Sequence, residues 1–221
     1  TSLPDTITIN PSPTAAITAS GPLSFCQGGT VGLTATTNAS YLWSNGATAK
    51  SITVTTSGGY YVTVTGTNGC PKKSASTTVT VNPLPIATIT AGGPLAICPG
   101  GSVTLTSSAG TSYLWNTGAT TQAIAVTTAS SSSVQVTNVN GCKKTSTATS
   151  VTISAPPIAA ISASGPKTFC AGDSVKLTAN AGSTYLWSNG KTTQAIVVKT
   201  TGGIFTVTVK NASNCSATSL P

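Results

Sequence analysis

One string is written three times along this chain. Phe25-Cys26, Tyr41-Leu42-Trp43 and Gly69-Cys70 return as Cys98, Tyr113-Leu114-Trp115 and Gly141-Cys142, and again as Phe169-Cys170, Tyr185-Leu186-Trp187 and Cys215. First cysteine to tryptophan is 17 residues in every copy, and the copies advance by 72 residues, with one insertion near Ile204 stretching the last to 73. Self-similarity at such a period means an array of small supersecondary units, not one large core. A unit this small buries little apolar surface, so it needs a covalent staple or firm docking to its neighbours. The ends keep the same phase, because Thr1-Ser2-Leu3-Pro4 recurs as Thr218-Ser219-Leu220-Pro221.

Within a unit, apolar residues alternate with Thr and Ser: Val31, Leu33 and Ala35; Ile52 and Val54; Tyr60, Val62 and Val64; Val79 and Val81. Period-2 runs of this kind are half-buried strands, and no window carries helical periodicity. Gln27-Gly28-Gly29, Asn45-Gly46, Ser57-Gly58-Gly59 and Asn68-Gly69 mark tight turns. They predict strand A over 15–19, B over 30–35, C over 41–44, a short hairpin partner after C, E over 51–55, F over 60–65 and G over 76–81. Such a unit is an all-β immunoglobulin-like sandwich, with Trp43, Trp115 and Trp187 as core residues on strand C. The chain then reads as three tandem immunoglobulin-like domains, 12–82, 83–154 and 155–221. The short connectors Asn82-Pro83-Leu84-Pro85 and Ala155-Pro156-Pro157 predict a rod-like array, since proline-rich spacers are stiff.

Residues 1–11 match a strand G, because Ile7-Thr8-Ile9-Asn10-Pro11 parallels Val79-Thr80-Val81-Asn82-Pro83, whereas the third domain lacks its strand G. The opening strand would complete a preceding domain or that of a neighbouring copy. The partners expected are therefore further copies of the same repeat, in a continuous chain or through strand sharing. The in-phase termini favour the continuous chain.

Composition narrows the chemistry. The chain has no His and only two acidic residues, Asp5 and Asp173, in different repeats. Paired general acid and base groups are missing, and so are the oxygen ligands of a calcium site and the Cys/His spacing of a zinc site. No enzyme, metal or cofactor is expected; Ser164-x-x-Lys167 and Ser188-x-x-Lys191 are the only spacings that resemble a Ser/Lys pair. The net charge of +8 comes from scattered lysines. Without arginines or stacking aromatics beside them, no nucleic-acid binding is expected. The lysines suit solubility and the blunting of strand edges, and a polyanionic surface polysaccharide is the partner that such charge could attract. No apolar run is long enough for a transmembrane helix.

The cysteines admit two pairings. Within a unit, Cys26 would join Cys70, but Cys26 lies at the bottom of the sandwich beside strand B and Cys70 at the top of the F–G hairpin. A six-residue strand rises about 20 Å, whereas bonded cysteines keep their Cα atoms within about 7 Å. Head-to-tail stacking instead brings Cys26 to Cys142 and Cys98 to Cys215, leaving Cys70 and Cys170 for neighbouring copies. This inter-domain pairing is favoured; intra-domain pairs and free thiols stay open. Either bonded arrangement implies an extracellular, oxidising setting.

The string Ser-Gly-Pro…Phe-Cys-x-Gly-Gly, Trp-Ser-Asn-Gly-x-Thr, Gly-Gly-Tyr-Tyr-Val-Thr-Val-Thr and Asn-Gly-Cys, closed by Val-Thr-Val-Asn-Pro-x-Pro, resembles the tandem immunoglobulin-like repeats of giant Bacteroidota cell-surface proteins. Those include gliding-motility-associated adhesins and other type IX secretion substrates. The resemblance spans nearly the whole chain, although the second unit has Ser130–Ser133 in place of Gly-Gly-Tyr-Tyr and the third has Ile204-Phe205. It implies a secreted, cell-surface, stalk-like protein. It also implies O-glycans at Asp-Ser/Thr-apolar signals, which here are Asp5-Thr6-Ile7 and Asp173-Ser174-Val175, making Thr6 and Ser174 the candidates. A structural shaft is the leading function. The alternative is a carbohydrate- or surface-binding module using the Tyr-Leu-Trp segment, for which exposed tryptophan rings would be the discriminating feature.

Overall fold

The computed structural model describes residues 5–199 and 202–221, so the Thr1–Pro4 part of the expected opening strand lies outside the described residues. In the first repeat the strands are β1 (Ile17–Ala19), β2 (Ser24–Cys26), β3 (Val31–Ala35), β4 (Ser40–Trp43), β5 (Ser51–Val54), β6 (Gly58–Tyr60), β7 (Val62–Thr65), β8 (Pro71–Lys73) and β9 (Thr77–Asn82). They form three sheets, ordered β1-β3-β5, β4-β7-β8 and β2-β9-β6. Neighbours are antiparallel except β2 and β9, which run parallel with Phe25 opposite Val81. The alternating side chains close inward. Val31, Leu33, Val54, Val62, Val64 and Val79 pack around Trp43, and most of the outward positions are Thr, Ser or Lys.

Strands F and G are each broken in two. Strand F splits at Tyr61 into β6 and β7, and strand G splits after Lys73 into β8 and β9, so that each crosses from one sheet to another. Ser74 makes the crossing possible. Its N–H donates to the Val62 carbonyl at 2.9 Å, and its buried hydroxyl accepts from the Val62 N–H at 3.1 Å. Gly58-Gly59, expected as a turn, is part of β6, where a Cβ on Gly59 would come within 2.9 Å of the Ser76 hydroxyl. The hairpin partner expected after strand C is absent. Asn45-Gly46 instead makes a tight turn closed by Gly46 N–H to Trp43 O at 2.9 Å, with Gly46 in the left-handed region (φ 85°). The stretch between that turn and β5 carries no strand.

The second repeat reproduces all three sheets, including the parallel pair, with Ala96–Ile97 beside Thr149–Ile153. Its core is Ile97, Val103, Leu105, Val126, Val134, Val136 and Val151 around Trp115. The third has two sheets among the described residues, built on Val175–Ala179 and Val207–Lys210 around Trp187. It carries the first half of strand G, Ser216–Thr218, paired to Val207–Lys210. Residues 5–16 carry no strand, and Ile7 and Ile9 are 89% and 90% exposed.

The chain forms two compact units, 1–85 with 137–143, and 86–136 with 144–221. The tip of the second repeat's F–G hairpin is bonded into the first unit by the contacts described next.

Candidate functional site

Two junctions of one design recur, one in each unit. In the first unit β2 ends at Cys26, whose register partner on β9 is Asn82. The turn that follows is closed by Gly29 N–H to Cys26 O at 2.9 Å, and Gln27 N–H donates to Asn82 O at 2.8 Å. Cys26 is disulfide-bonded to Cys142, with Cα atoms 5.5 Å apart and a sequence separation of 116. The Cys142 sulfur lies 3.9 Å from the Asn82 carbonyl oxygen. In the second unit Cys98 is bonded to Cys215, with Cα atoms 5.4 Å apart. There the Cys215 sulfur lies 3.3 Å from the carbonyl of Ser154, the residue in Asn82's place.

An asparagine clamps each linker to the hairpin. Asn138 donates from Nδ2 to Pro83 O at 2.9 Å, while its Oδ1 accepts from Cys142 N–H at 3.0 Å and Asn140 N–H at 3.1 Å. Asn211 does the same for the Ala155 carbonyl at 2.8 Å and the N–H groups of Ser213 and Cys215. In the first repeat Gly66 stands where Asn138 and Asn211 stand, yet Asn68 from two residues along the same turn reaches Pro11 O at 2.9 Å and accepts from Cys70 N–H at 3.2 Å. These asparagines were not singled out from the sequence. Their signal was an Asn in every F–G turn, obscured because its position shifts.

Cys70 and Cys170 are free thiols. The Cys70 thiol nonetheless lies 3.9 Å from the Asn10 carbonyl, as Cys142 lies from that of Asn82. Cys170 is exposed, in a loop after Phe169.

The tryptophans sit in the cores. Trp43, Trp115 and Trp187 are 2%, 1% and 1% exposed, which leaves no ring face for a ligand. Each indole N–H donates at 2.8 Å to a backbone carbonyl six residues on, in Ala49, Thr121 and Thr193. Each tyrosine two residues earlier pins its preceding turn. The Tyr113 hydroxyl, for example, donates to Gly110 O and accepts from Gly110 N–H, both at 3.0 Å. The residues between them, Leu42, Leu114 and Leu186, are about half exposed on the opposite face.

The serines of the two Ser/Lys spacings are engaged by backbone. Ser164 accepts from Lys176 N–H at 3.1 Å, and Ser188 from Thr206 N–H at 3.2 Å. Thr6 and Ser174 are exposed. Lys72 and Lys73 lie on β8, the edge of its sheet, with the Lys73 ammonium 3.6 Å from the centre of the Tyr61 ring. The charge on that edge opposes pairing with other strands.

No family model and no curated protein matches the chain. Among solved structures it is similar to murine CEACAM1b, at 14% identity over 63% of this chain and 100% of that one, with a TM-score of 0.33. It is also similar to fibronectin(III)-like modules of CbhA from Clostridium thermocellum, at 16% identity over 62% and 93%, with a TM-score of 0.33. A third is SGBP-B of the mixed-linkage glucan utilization locus of Bacteroides ovatus, in complex with a mixed-linkage heptasaccharide. It is 15% identical over 96% of this chain and 65% of that one, with a TM-score of 0.24.

Proposed function

We propose that this chain is a structural shaft segment of an extracellular filament or surface adhesin, in which immunoglobulin-like repeats are locked to one another by disulfides across their junctions. The observation that carries the reading is the pair of bonds Cys26–Cys142 and Cys98–Cys215, each linking one repeat to the next and each beside an asparagine clamp on the linker. Such bonds belong to an oxidising compartment. The two bonded spans overlap in sequence, so the shortest covalent path from Cys26 to Cys215 runs through both disulfides and residues 98–142 only. A load applied along the chain passes through that path even if every repeat unfolds.

Single-molecule extension tests this directly. At about 3.5 Å per residue, the oxidised chain pulled from its termini stops roughly 500 Å short of the reduced chain. Equal final lengths would show that the bonds carry no load, and the shaft reading would fall.

Exposed Thr6 and Ser174 are, on this reading, sites of O-glycans that keep a chain only 5% charged in solution. Native protein should then lose mass on β-elimination from the peptides bearing them. Unmodified peptides at both positions would remove the glycan from the proposal without touching the shaft.

A further inference from the structure

Two sheets of the first repeat differ in the chemistry of their outward faces. On β1-β3-β5 the outward side chains include the exposed hydroxyls of Thr18, Thr34, Ser51 and Thr53, and those of Thr34 and Ser51 are hydrogen-bonded to each other at 2.9 Å. On β4-β7-β8 one row across the sheet is Leu42, Thr63 and Lys73, each opposite the next. Leu42 is 55% exposed. The Lys73 ammonium lies over the half-buried ring of Tyr61, the residue just before β7.

Tyr61 stands apart from the other aromatic residues. Every other tyrosine, phenylalanine and tryptophan belongs to one of the three cores or packs against it. Every other tyrosine hydroxyl donates to a backbone carbonyl, in Asn38, Thr56, Gly110 and Gly182. That of Tyr61 has no partner among the described residues, and Lys73 has no carboxylate partner among them. The fold requires neither side chain, because the other repeats have Ser133 and Thr206 in the place of Tyr61, and Thr145 and Thr218 in that of Lys73. The ring fixes the ammonium through its π face but leaves the positive charge unneutralised.

We infer that the outward face of β4-β7-β8 in the first repeat binds a carboxylated polysaccharide. Lys73 pairs with a uronate carboxylate, the hydroxyls of Tyr61 and Thr63 exchange hydrogen bonds with sugar hydroxyls, and Leu42 covers an apolar C–H face of the sugar. Charge selects this occupant. A second copy of the chain brings the same net charge of +8 and is repelled. A nucleic-acid base would need an aromatic face for stacking, and the ammonium already lies on that of Tyr61. One exposed ion pair contributes little, so affinity comes from a polymer that offers many carboxylates to the same site. The site is independent of the shaft reading, and its failure leaves the difference in extended length untouched.

Affinity electrophoresis of the full chain, with both disulfides intact, tests this in native gels containing polygalacturonate, neutral dextran or poly-L-glutamate. Polygalacturonate should retard the protein, dextran should not, and poly-L-glutamate at equal charge should retard it far less. Tyr61→Ser with Lys73→Thr installs the residues of the second repeat. It should weaken binding to polygalacturonate about tenfold, since it removes the paired charge together with the ring that fixes it. Lys191→Ala removes the same charge from the third repeat, where the other two repeats have Ala47 and Ala119, and should leave retardation nearly unchanged. Absence of retardation by polygalacturonate overturns the inference. So does equal retardation by poly-L-glutamate, which would mean that charge alone is recognised. Equal losses in the Lys191 variant and the double variant, or a double variant that binds as well as the native chain, would also remove the site.

Discussion

The same serine chemistry has opposite consequences at two places in the second repeat. Ser146 is buried, and its hydroxyl accepts from the Val134 N–H at 3.1 Å, the bond that lets the chain cross between sheets, repeated by Ser74 and by Ser219. Ser132 is fully buried, and its hydroxyl has no partner. It stands where the first repeat has Tyr60, whose hydroxyl instead meets Thr56 at 2.9 Å. An unmet buried hydroxyl keeps its desolvation penalty, so Ser132→Ala should stabilise the protein by about 1 kcal/mol. Ser146→Ala should cost about 1–3 kcal/mol by stranding a buried N–H. Denaturant titration of the two variants checks the sign: if both shift the midpoint the same way, this account of the two serines is wrong. The repeat alignment puts Ser132 in the inward place of Tyr60 and Ser146 in that of Ser74, but it does not say which hydroxyl will meet a buried N–H.

Among the elements, the F–G hairpin is the one that joins repeats. Its turn must place a cysteine and an asparagine side by side, and it does so with left-handed glycines at Gly69 and Gly141 and with Asn214 (φ 62°) in the third repeat. Asn is the non-glycine residue that enters this region most readily. Replacing Asn138 by Ala removes the donor to Pro83 O and the acceptor for Cys142 N–H together, at an expected cost of about 1–2 kcal/mol. The loss should show as faster amide exchange at Asn140 and Cys142, with the core strands unaffected. Unchanged exchange there would mean that the disulfide alone holds the turn. The strands that carry this hairpin were legible as alternating runs, but their breaks were not. Periodicity reports which face is buried, and a strand that changes sheets keeps the same alternation through the crossing.

For the molecule as a whole, each disulfide constrains a loop of more than a hundred residues, and in the chain-entropy model that is worth about 4–5 kcal/mol. Thin cores of some eight to ten buried residues per repeat leave a large share of the stability to these bonds. Removing one bond with Cys98→Ser and Cys215→Ser should lower the unfolding midpoint of the second unit markedly while leaving the first nearly unchanged, because Cys98 and Cys215 both lie in the second. Calorimetry of the pair variant measures this. A uniform drop across both units would show that they unfold as one cooperative body.

From the residues alone came the period, the all-β class, the alternating core positions and the lack of acid, base or metal-ligand groups. All of these are local or compositional, and a hydrophobic alternation or a missing residue type needs no long-range partner to be read. The tertiary structure decided which cysteines meet, where strands F and G change sheets, and the parallel pairing of β2 with β9. Each depends on groups brought together from dozens of residues apart or more. Spacing in sequence could offer inter-repeat and intra-repeat cysteine pairs alike, whereas a disulfide forms only where the fold sets Cα atoms about 5.5 Å apart.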